Sequence, residues 1–532
     1  MLLWDTIEVG RNDAANLINS VYGARLMTRQ RAVRIAGMAT IIGALLSTGV
    51  LETARKGIFK PSMLEPEEAV AIYASVYVVD TVLLYGYSAF GMPVSTTACL
   101  VFELLGASCA MSLIRGYQGV VQWGKAGTVV SAIVVSIFLA GFASFLFQRI
   151  ARGAIRDRWN DCRTIRIHGS WIGGGMAAGL FFFLVLKGAK NAWGVRHIKL
   201  AIDNLDEFLR GAIWGDGSTA GPHLGTIVVL FGVWLLFGLL INRLVSRFGE
   251  RAAERVFPTL AVLGMICMAV AFGQNDLANC ASPGLATITL IGHWDKGTAG
   301  ATAIPIQWWM LFGCGALLFL GMRTKNATRV TRAGVRMGSQ TERVNLYAPK
   351  WCMALARIFT RKPPEDRPLI PRSKPNQSGK RCHYDPVRAS TIMAVSASVI
   401  ALASSYKLPV STTYVTFAAV IGTGIGDKVF QRGDAELKIA RSIWVIISWF
   451  LAAAIAAVFT GLVCVVVYYS IASGLGVTGL VVMIVINLLL RRRFKRQGDA
   501  QIERTRQEMI ERSKADRPRP SIIEEPEPVA VG

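Results

Sequence analysis

Charge is scarce in this sequence. Asp, Glu, Lys and Arg make up 17% of its 532 residues against 52% hydrophobic ones, and the mean hydropathy is positive. A soluble chain of this length folds into several domains, each with a charged surface, so that class is excluded. Paired cysteines are missing as well. Nine cysteines occur without a C-x-x-C, and Cys99, Cys109, Cys267, Cys280, Cys314 and Cys464 lie in or beside apolar runs, where cysteine packs as a small residue. Neither a disulfide framework nor a metal site of cysteine and histidine follows. The five histidines (His168, His197, His223, His293, His383) are scattered. The sequence has no H-E-x-x-H, no P-loop and no motif that sets a nucleophile beside a base, so it gives no ground for an enzyme or a bound cofactor. Met1–Val9 is too short for a cleavable signal peptide and carries Asp5 and Glu8.

Long apolar runs are what it does have. Ile35–Leu51, Ala69–Phe90, Gly127–Phe147, Ile172–Leu186, Leu224–Ile241, Phe257–Phe272, Pro305–Met322, Thr391–Ala403, Ile443–Tyr468 and Val477–Leu490 are separated by charged segments. A helix needs about 20 apolar residues to span hydrocarbon, fewer where polar groups face a protein interior. The fold class is therefore an all-α polytopic membrane protein. Its 58 basic residues against 34 acidic ones (+24) concentrate in Arg149–Arg166, Arg323–Arg388 and the tail from Arg491. A basic balance also suits nucleic-acid binders, but basic connecting segments between apolar runs follow the rule that holds such loops on the cytoplasmic side. No nucleic-acid partner is expected; lipid is. The near-neutral Gly188–Pro222 is the candidate outer loop.

Two motifs occur twice, in the same order. Gly10-Arg11-Asn12-Asp13-Ala14-Ala15-Asn16 matches Gly273-Gln274-Asn275-Asp276-Leu277-Ala278-Asn279 as G-x-N-D-x-A-N, and Pro93-Val94-Ser95-Thr96-Thr97 recurs unchanged as Pro409-Val410-Ser411-Thr412-Thr413. The chain is a duplication. Asp13 and Ser95 are 82 residues apart and Asp276 and Ser411 are 135 apart; the surplus fits the polar, Pro-rich stretch 323–388, read as a cytoplasmic loop of disordered character. With all three basic segments on one side, Gly127–Phe147 and its counterpart Ile443–Tyr468 run in opposite directions. The expectation is two inverted-topology repeats with discontinuous helices, whose site lies near mid-membrane. The divisions are 1–190, first repeat; 191–256, a connection with one spanning helix; 257–322, start of the second repeat; 323–387, basic cytoplasmic loop; 388–490, remainder of the second repeat; 491–532, disordered tail.

An Asp within membrane sequence is costly and marks function. Asp13 and Asp276 are flanked by amides at Asn12 and Asn16, and at Asn275 and Asn279, and the glycine ahead of each allows a local break. Carboxylate and amide oxygens at such a break suit a hard cation. Polar contacts across a helix bundle are the alternative for one copy. In P-V-S-T-T, proline sets the start of a helix whose first hydroxyls and free N–H groups form a positive end that holds anions without Lys or Arg. An ordinary Ser/Thr cap is the competing reading of a single copy. Two ends facing each other suit a tetrahedral oxyanion.

At these residues the sequence resembles the inorganic phosphate transporter (Pit) family of phosphate:cation symporters, which carries a G-A-N-D-V-A-N-like motif and a P-[VI]-S-[ST]-T-H motif twice each. Glu52-Thr53-Ala54-Arg55-Lys56-Gly57-Ile58 also looks like a family segment. The resemblance implies phosphate contacts at Ser95, Thr96, Thr97, Ser411, Thr412 and Thr413, and cation ligands (Na+ at the two Asp) at Asp13, Asn16, Asp276 and Asn279. Asn12 and Asn275 are able to serve either, and are placed with the phosphate set. It further implies inorganic phosphate and a co-transported Na+ or H+ as partners, a homodimer as one arrangement, and the cell (inner) membrane as the location. This chain departs from the pattern: Ala98 and Tyr414 stand where the family has His, and Arg11 where it usually has Ala. Only nine residues precede the first motif, so the first helix is either shortened or begins upstream. The rival readings are a sulfate symporter on the same fold and a passive anion channel; paired carboxylates argue against the channel.

Overall fold

Backbone that enters hydrocarbon must satisfy its own polar groups, and apolar runs of this kind do so as helices. The computed structural model describes residues 1–47, 58–182, 184, 193–214, 224–292, 307–341, 344, 346–360, 382–431 and 433–515. The described residues are helical apart from short connections and one isolated bridge between Phe59 and Val121. In chain order the helices are α1 (Leu2–Gly23), α2 (Arg29–Leu45), α3 (Pro66–Ala89), α4 (Thr96–Arg115), α5 (Trp123–Ile155), α6 (Ser170–Phe181), α7 (Trp193–Trp214) and α8 (Leu224–Phe248). The second half adds α9 (Glu250–Gly292), α10 (Trp308–Met322), α11 (Lys325–Met337), α12 (Lys350–Phe359), α13 (Pro386–Ser405), α14 (Thr412–Gly426), α15 (Ala435–Ala472) and α16 (Gly476–Ala515). Among the described residues seven helices (α3, α4, α5, α8, α9, α13 and α15) are long and apolar enough to cross a membrane, while α10 and α14 are shorter apolar helices. The chain is a multi-pass helical membrane protein.

The two halves interlock, and glycines show where. A Cβ on Gly10 of α1 would lie 2.1 Å from the Leu318 carbonyl oxygen of α10, and one on Gly273 of α9 would lie 2.2 Å from that of Thr40 on α2. The reciprocal contacts are Gly43 of α2 at Val270 of α9 and Gly321 of α10 at Ile7 of α1, both at 2.1 Å. The same exchange joins Gly106 of α4 to Ala457 of α15 (1.9 Å) and Gly422 of α14 to Gly141 of α5 (2.2 Å). Corresponding helices thus meet corresponding partners from the other half. Small residues allow this backbone approach, which is how helices pack tightly without a hydrophobic driving force.

Several expectations need correction. The motif glycines do not break their helices: α1 and α9 run unbroken through both motifs, and Gly10 and Gly273 serve close approach instead. The discontinuities fall at 90–95 and 406–411, ahead of Ser95 and Ser411. The stretch 323–388 is not simply a disordered loop. Thr324 caps α11, which buries Val330 and Val335, and α12 packs Cys352 and Ala356 on Ala440; residues 361–381 lie outside the described set. The segment Gly188–Pro222, read as a loop, contains α7, with 188–192 and 215–222 outside the described set. The tail read as disordered from 491 continues as α16 to Ala515, and 516–532 lie outside the described set, as do 52–57 of the family-like segment. Of the apolar run Ile172–Leu186, the structure gives helix to Phe181 and leaves 183, 185 and 186 undescribed.

Candidate substrate and cation site

The two Ser-Thr-Thr segments face each other across the pair of buried carboxylates. Ser95 has extended backbone and its hydroxyl accepts the Ala98 N–H (3.0 Å), so it caps α4; Ser411 caps α14 by accepting the Tyr414 N–H (3.1 Å). With the serines so engaged, the first N–H groups of each helix, at Thr96 and Thr97 and at Thr412 and Thr413, have no acceptor within their own helix. The tips cross over. Thr97 Oγ1 is placed to donate to the Val410 carbonyl and Thr413 Oγ1 to the Val94 carbonyl, each at 3.1 Å.

Asp13 and Asp276 are fully buried beneath these tips. Asp13 Oδ1 accepts from Asn16 Nδ2 (3.1 Å) and lies 3.0 Å from Thr413 Oγ1, whose one proton serves either it or the Val94 carbonyl; Asp276 Oδ1 accepts from Asn279 Nδ2 (2.8 Å) and lies within reach of Thr97 Oγ1 (3.5 Å). Thr96 Oγ1 sits between the two, 3.1 Å from Asp13 Oδ2 and 3.3 Å from Asp276 Oδ1. One hydroxyl has one proton, so it satisfies one carboxylate at a time. Neither Asp has a basic hydrogen-bond or ion-pair partner among the described residues. Two buried carboxylates that share one hydroxyl and have no basic partner favour added positive charge between them. Asp276 Oδ2 and Thr412 Oγ1 are buried near each other without a well-formed hydrogen bond, and Asn279 Oδ1 is buried without a partner among the described residues. These oxygens are the donor type a hard cation takes.

Asn12 and Asn275 occupy a different position from Asn16 and Asn279. The Asn12 Oδ1 accepts the Val94 N–H (3.1 Å), and Asn275 Oδ1 accepts the Val410 N–H (3.2 Å) while its Nδ2 donates to the Val410 carbonyl (2.6 Å). The Asn12 Nδ2 reaches Ser88 Oγ (3.2 Å) and the Met92 carbonyl (3.4 Å). Both amides brace the extended linkers. Asn16 and Asn279 instead reach across: Asn16 Nδ2 to Thr413 Oγ1 (2.9 Å) and Asn279 Nδ2 to Thr97 Oγ1 (2.8 Å).

Several residues around this centre have contacts that the sequence does not reveal. Tyr414, in the place of the family's second His, stacks on Trp449 (centroids 4.0 Å apart), and Trp449 Nε1 donates to the Pro93 carbonyl of the other half (3.1 Å). The hydroxyl of Tyr77 accepts the Gly284 N–H (2.6 Å) and donates to the Cys280 carbonyl (2.7 Å), repairing the turn around Pro283 inside α9. Asp5, Asp80 and Glu103 are also buried, and an acid inside an apolar run, as Asp80 is, was the available signal. Arg11, the departure beside Asp13, points away from it: its guanidinium binds Glu8 (2.7 Å) and Thr324 Oγ1 (3.2 Å), and Glu8 also pairs with Arg491 of α16.

A bundle of spanning helices that turns two capped helix ends onto two buried acids has the make-up of a membrane protein that passes charged solutes. The profile of the phosphate transporter family matches residues 9–343 and 377–492, and the chain belongs to that family. It is 27% identical over 460 residues to a protein of Thermococcus kodakarensis named "Putative phosphate permease", covering 85% of this chain and 92% of that one. A protein of the same name from Haemophilus influenzae is 22% identical over 449 residues, covering 83% and 89%. Among solved structures, one named "The sodium-dependent phosphate transporter" superposes with a TM-score of 0.60 at 19% identity, covering 88% of this chain and 97% of that one. At that identity the likeness speaks for the fold.

Proposed function

We propose that the chain is a secondary active symporter that carries inorganic phosphate across the cell membrane with a monovalent cation, by alternating access. Phosphate is held by the paired tips: the N–H groups and hydroxyls of Thr96, Thr97, Thr412 and Thr413, with Ser95 and Ser411 shaping each end. The cation is held beneath by Asp13, Asn16, Asp276 and Asn279, while Asn12 and Asn275 position the linkers. The observation that carries the reading is Thr96 Oγ1 between Asp13 and Asp276: an anion seated on the tips and two acids below it repel unless a cation lies between them. Cation binding thereby raises phosphate affinity, and by linkage phosphate raises cation affinity. The oxygen-only donor set supports Na+ over H+, and so does the sodium dependence for which the solved neighbour is named. Inverted repeats are supported by α5, which is about 50 Å long at 1.5 Å per residue. Its start follows the end of α4 by a short connection, while its far end, at Arg152, binds Asp427 at the end of α14 (2.7 Å), so counterparts α4 and α14 finish at opposite ends of one helix.

The test is uptake of labelled phosphate into proteoliposomes under an imposed sodium gradient, a proton gradient or none, with excess sulfate as competitor. Sodium-driven accumulation that sulfate leaves unchanged is expected. Equal rates without any gradient identify a channel, and full competition by sulfate identifies the sulfate symporter.

A further inference from the structure

A groove of about 630 Å³ runs between α3, α15 and α16, and its walls are almost wholly apolar, from Val79, Leu451 and Ile455 at mid-depth to Trp444 and Phe494 at one end. Its neighbours Phe450, Phe459, Val482 and Leu489 are exposed, so this side faces hydrocarbon. An α-helix with side chains is about 10–12 Å across and rises 1.5 Å per residue, so the space admits roughly one turn of a foreign helix. Flexible hydrocarbon chains fill such a space; a second copy of the chain does not.

The end of the groove is marked twice. Phe494 is followed and preceded on α16 by exposed Lys495 and Arg493, with Arg492 and Arg496 beyond them, and none of the four has an ion-pair partner among the described residues. Beside it, α12 docks through Cys352 and Ala356 and through Trp351 against Trp444 (centroids 5.9 Å), while Trp351, Leu355, Ile358 and Phe359 stay exposed. A short helix with bare aromatic and aliphatic residues and flanking Lys350 and Arg357 lies in the headgroup layer, where aromatic residues gather. It sets the level of the bilayer surface at Trp444. Arg493 and Lys495, one residue to either side of Phe494, are the basic side chains of α16 that border this end of the groove, within reach of phosphate groups of lipids whose chains lie in it.

We propose that this groove is a structural site for an anionic phospholipid, acyl chains against α3 and α15 and headgroup on Arg493 and Lys495. The test compares the delipidated full-length protein with phosphatidylglycerol or phosphatidylcholine of identical chains, read by native mass spectrometry and by thermal unfolding. The unmodified protein is expected to retain phosphatidylglycerol over phosphatidylcholine and to unfold at a higher temperature with it. Arg493→Gln with Lys495→Gln reduces that preference by about fivefold per charge, since each basic residue near an anionic surface contributes on this scale, whereas Arg492→Gln with Arg496→Gln on the opposite face leaves it unchanged. Leu451→Trp with Ile455→Trp, which fills the groove, loses both lipids. Glycerol phosphate, the headgroup without chains, neither competes nor stabilises. Equal retention of the two lipids by the unmodified protein overturns the proposal, as does retention by the filled variant. A filled variant that keeps its lipid but loses self-association measured in the unmodified protein assigns the groove to a second copy instead. Should the filled variant fail to fold, quenching by brominated-chain phosphatidylglycerol decides: it must fall in Trp444→Phe relative to the unmodified protein.

Discussion

At the scale of single residues the site reads as a division of labour between chemically similar groups. The two acids share one threonine hydroxyl, so replacing either by its neutral amide removes the charge that the proposed cation site relies on while preserving shape. Asp13→Asn and Asp276→Asn are each expected to abolish gradient-driven phosphate uptake with unchanged membrane abundance; near-normal uptake in both overturns the assignment. Ser95 and Ser411 raise a subtler case, because their hydroxyls are caps. Ala at a cap costs about 0.5–2 kcal/mol, whereas Gly costs only a few tenths. Ser95→Gly with Ser411→Gly therefore separates the roles: if the hydroxyls also meet phosphate, apparent KM rises several-fold while the unfolding temperature barely moves. Asp13, Asp276 and the threonines were legible in the sequence because a repeated motif advertises itself. The bracing role of Asn12 and the hold of Trp449 on Pro93 were not, since each depends on a partner about 80 to 360 residues away that no local pattern specifies.

At the scale of elements, tertiary packing overrode the local meaning of composition. Glycine ahead of an N-D motif reads as a hinge in sequence, yet at Gly10 and Gly273 it is the only residue that lets α1 lie on α10 and α9 on α2. Gly10→Ala or Gly273→Ala puts a methyl group against a backbone carbonyl, which cannot move aside as a side chain can. Each is expected to cost about 1–3 kcal/mol, the usual range for overpacking, seen as a lowered unfolding temperature in detergent. The basic stretch 323–388 likewise reads as solvated, but its last residues are clasped: His383 donates its N–H to the Gly23 carbonyl (2.9 Å) and accepts the Gln340 N–H (2.8 Å), and its ring meets Ser339 Oγ (2.9 Å). Burial, together with Arg25, Arg336 and Lys438 nearby, pushes the His383 imidazole down to about 4. The unfolded chain takes a proton there below about pH 6.5 while the native one does not. Stability is therefore full above pH 6.5 and lost as pH falls towards 4, by about 2–3 kcal/mol at most for a shift of this size. In His383→Gln the unfolding temperature should vary less across that window; an unaltered profile removes the imidazole from the account.

At the scale of the whole molecule the duplication and the crossing of halves are one fact. Two copies of a broken-helix unit each leave an end carrying bare N–H groups and an acid inside the bilayer, and neither unit can satisfy these alone. Exchange places the tip of one half on the carbonyl of the other, Thr97 on Val410 and Thr413 on Val94, so the site exists only where both copies meet. The proposed carrier must open that site to either side in turn, and antiparallel copies, which the placement of the ends of α4 and α14 on α5 supports, would supply the means by turning one unit's broken end to each face. At one face Arg152 of α5 bridges Asp385 ahead of α13 and Asp427 after α14, joining the first half to the second; at the other, Arg115 at the end of α4 binds Glu68 of α3 within the first half (2.6 Å). The geometry therefore predicts opposite exposure for two surface residues just beyond the ends of corresponding helices, Gln118 after α4 and Lys428 after α14. With the nine native cysteines replaced, Gln118→Cys should react with a membrane-impermeant maleimide added to intact cells, and Lys428→Cys only after the membrane is opened. Labelling of both from the same side would make the repeats parallel, leave one access path for both tips, and remove the structural basis for alternation.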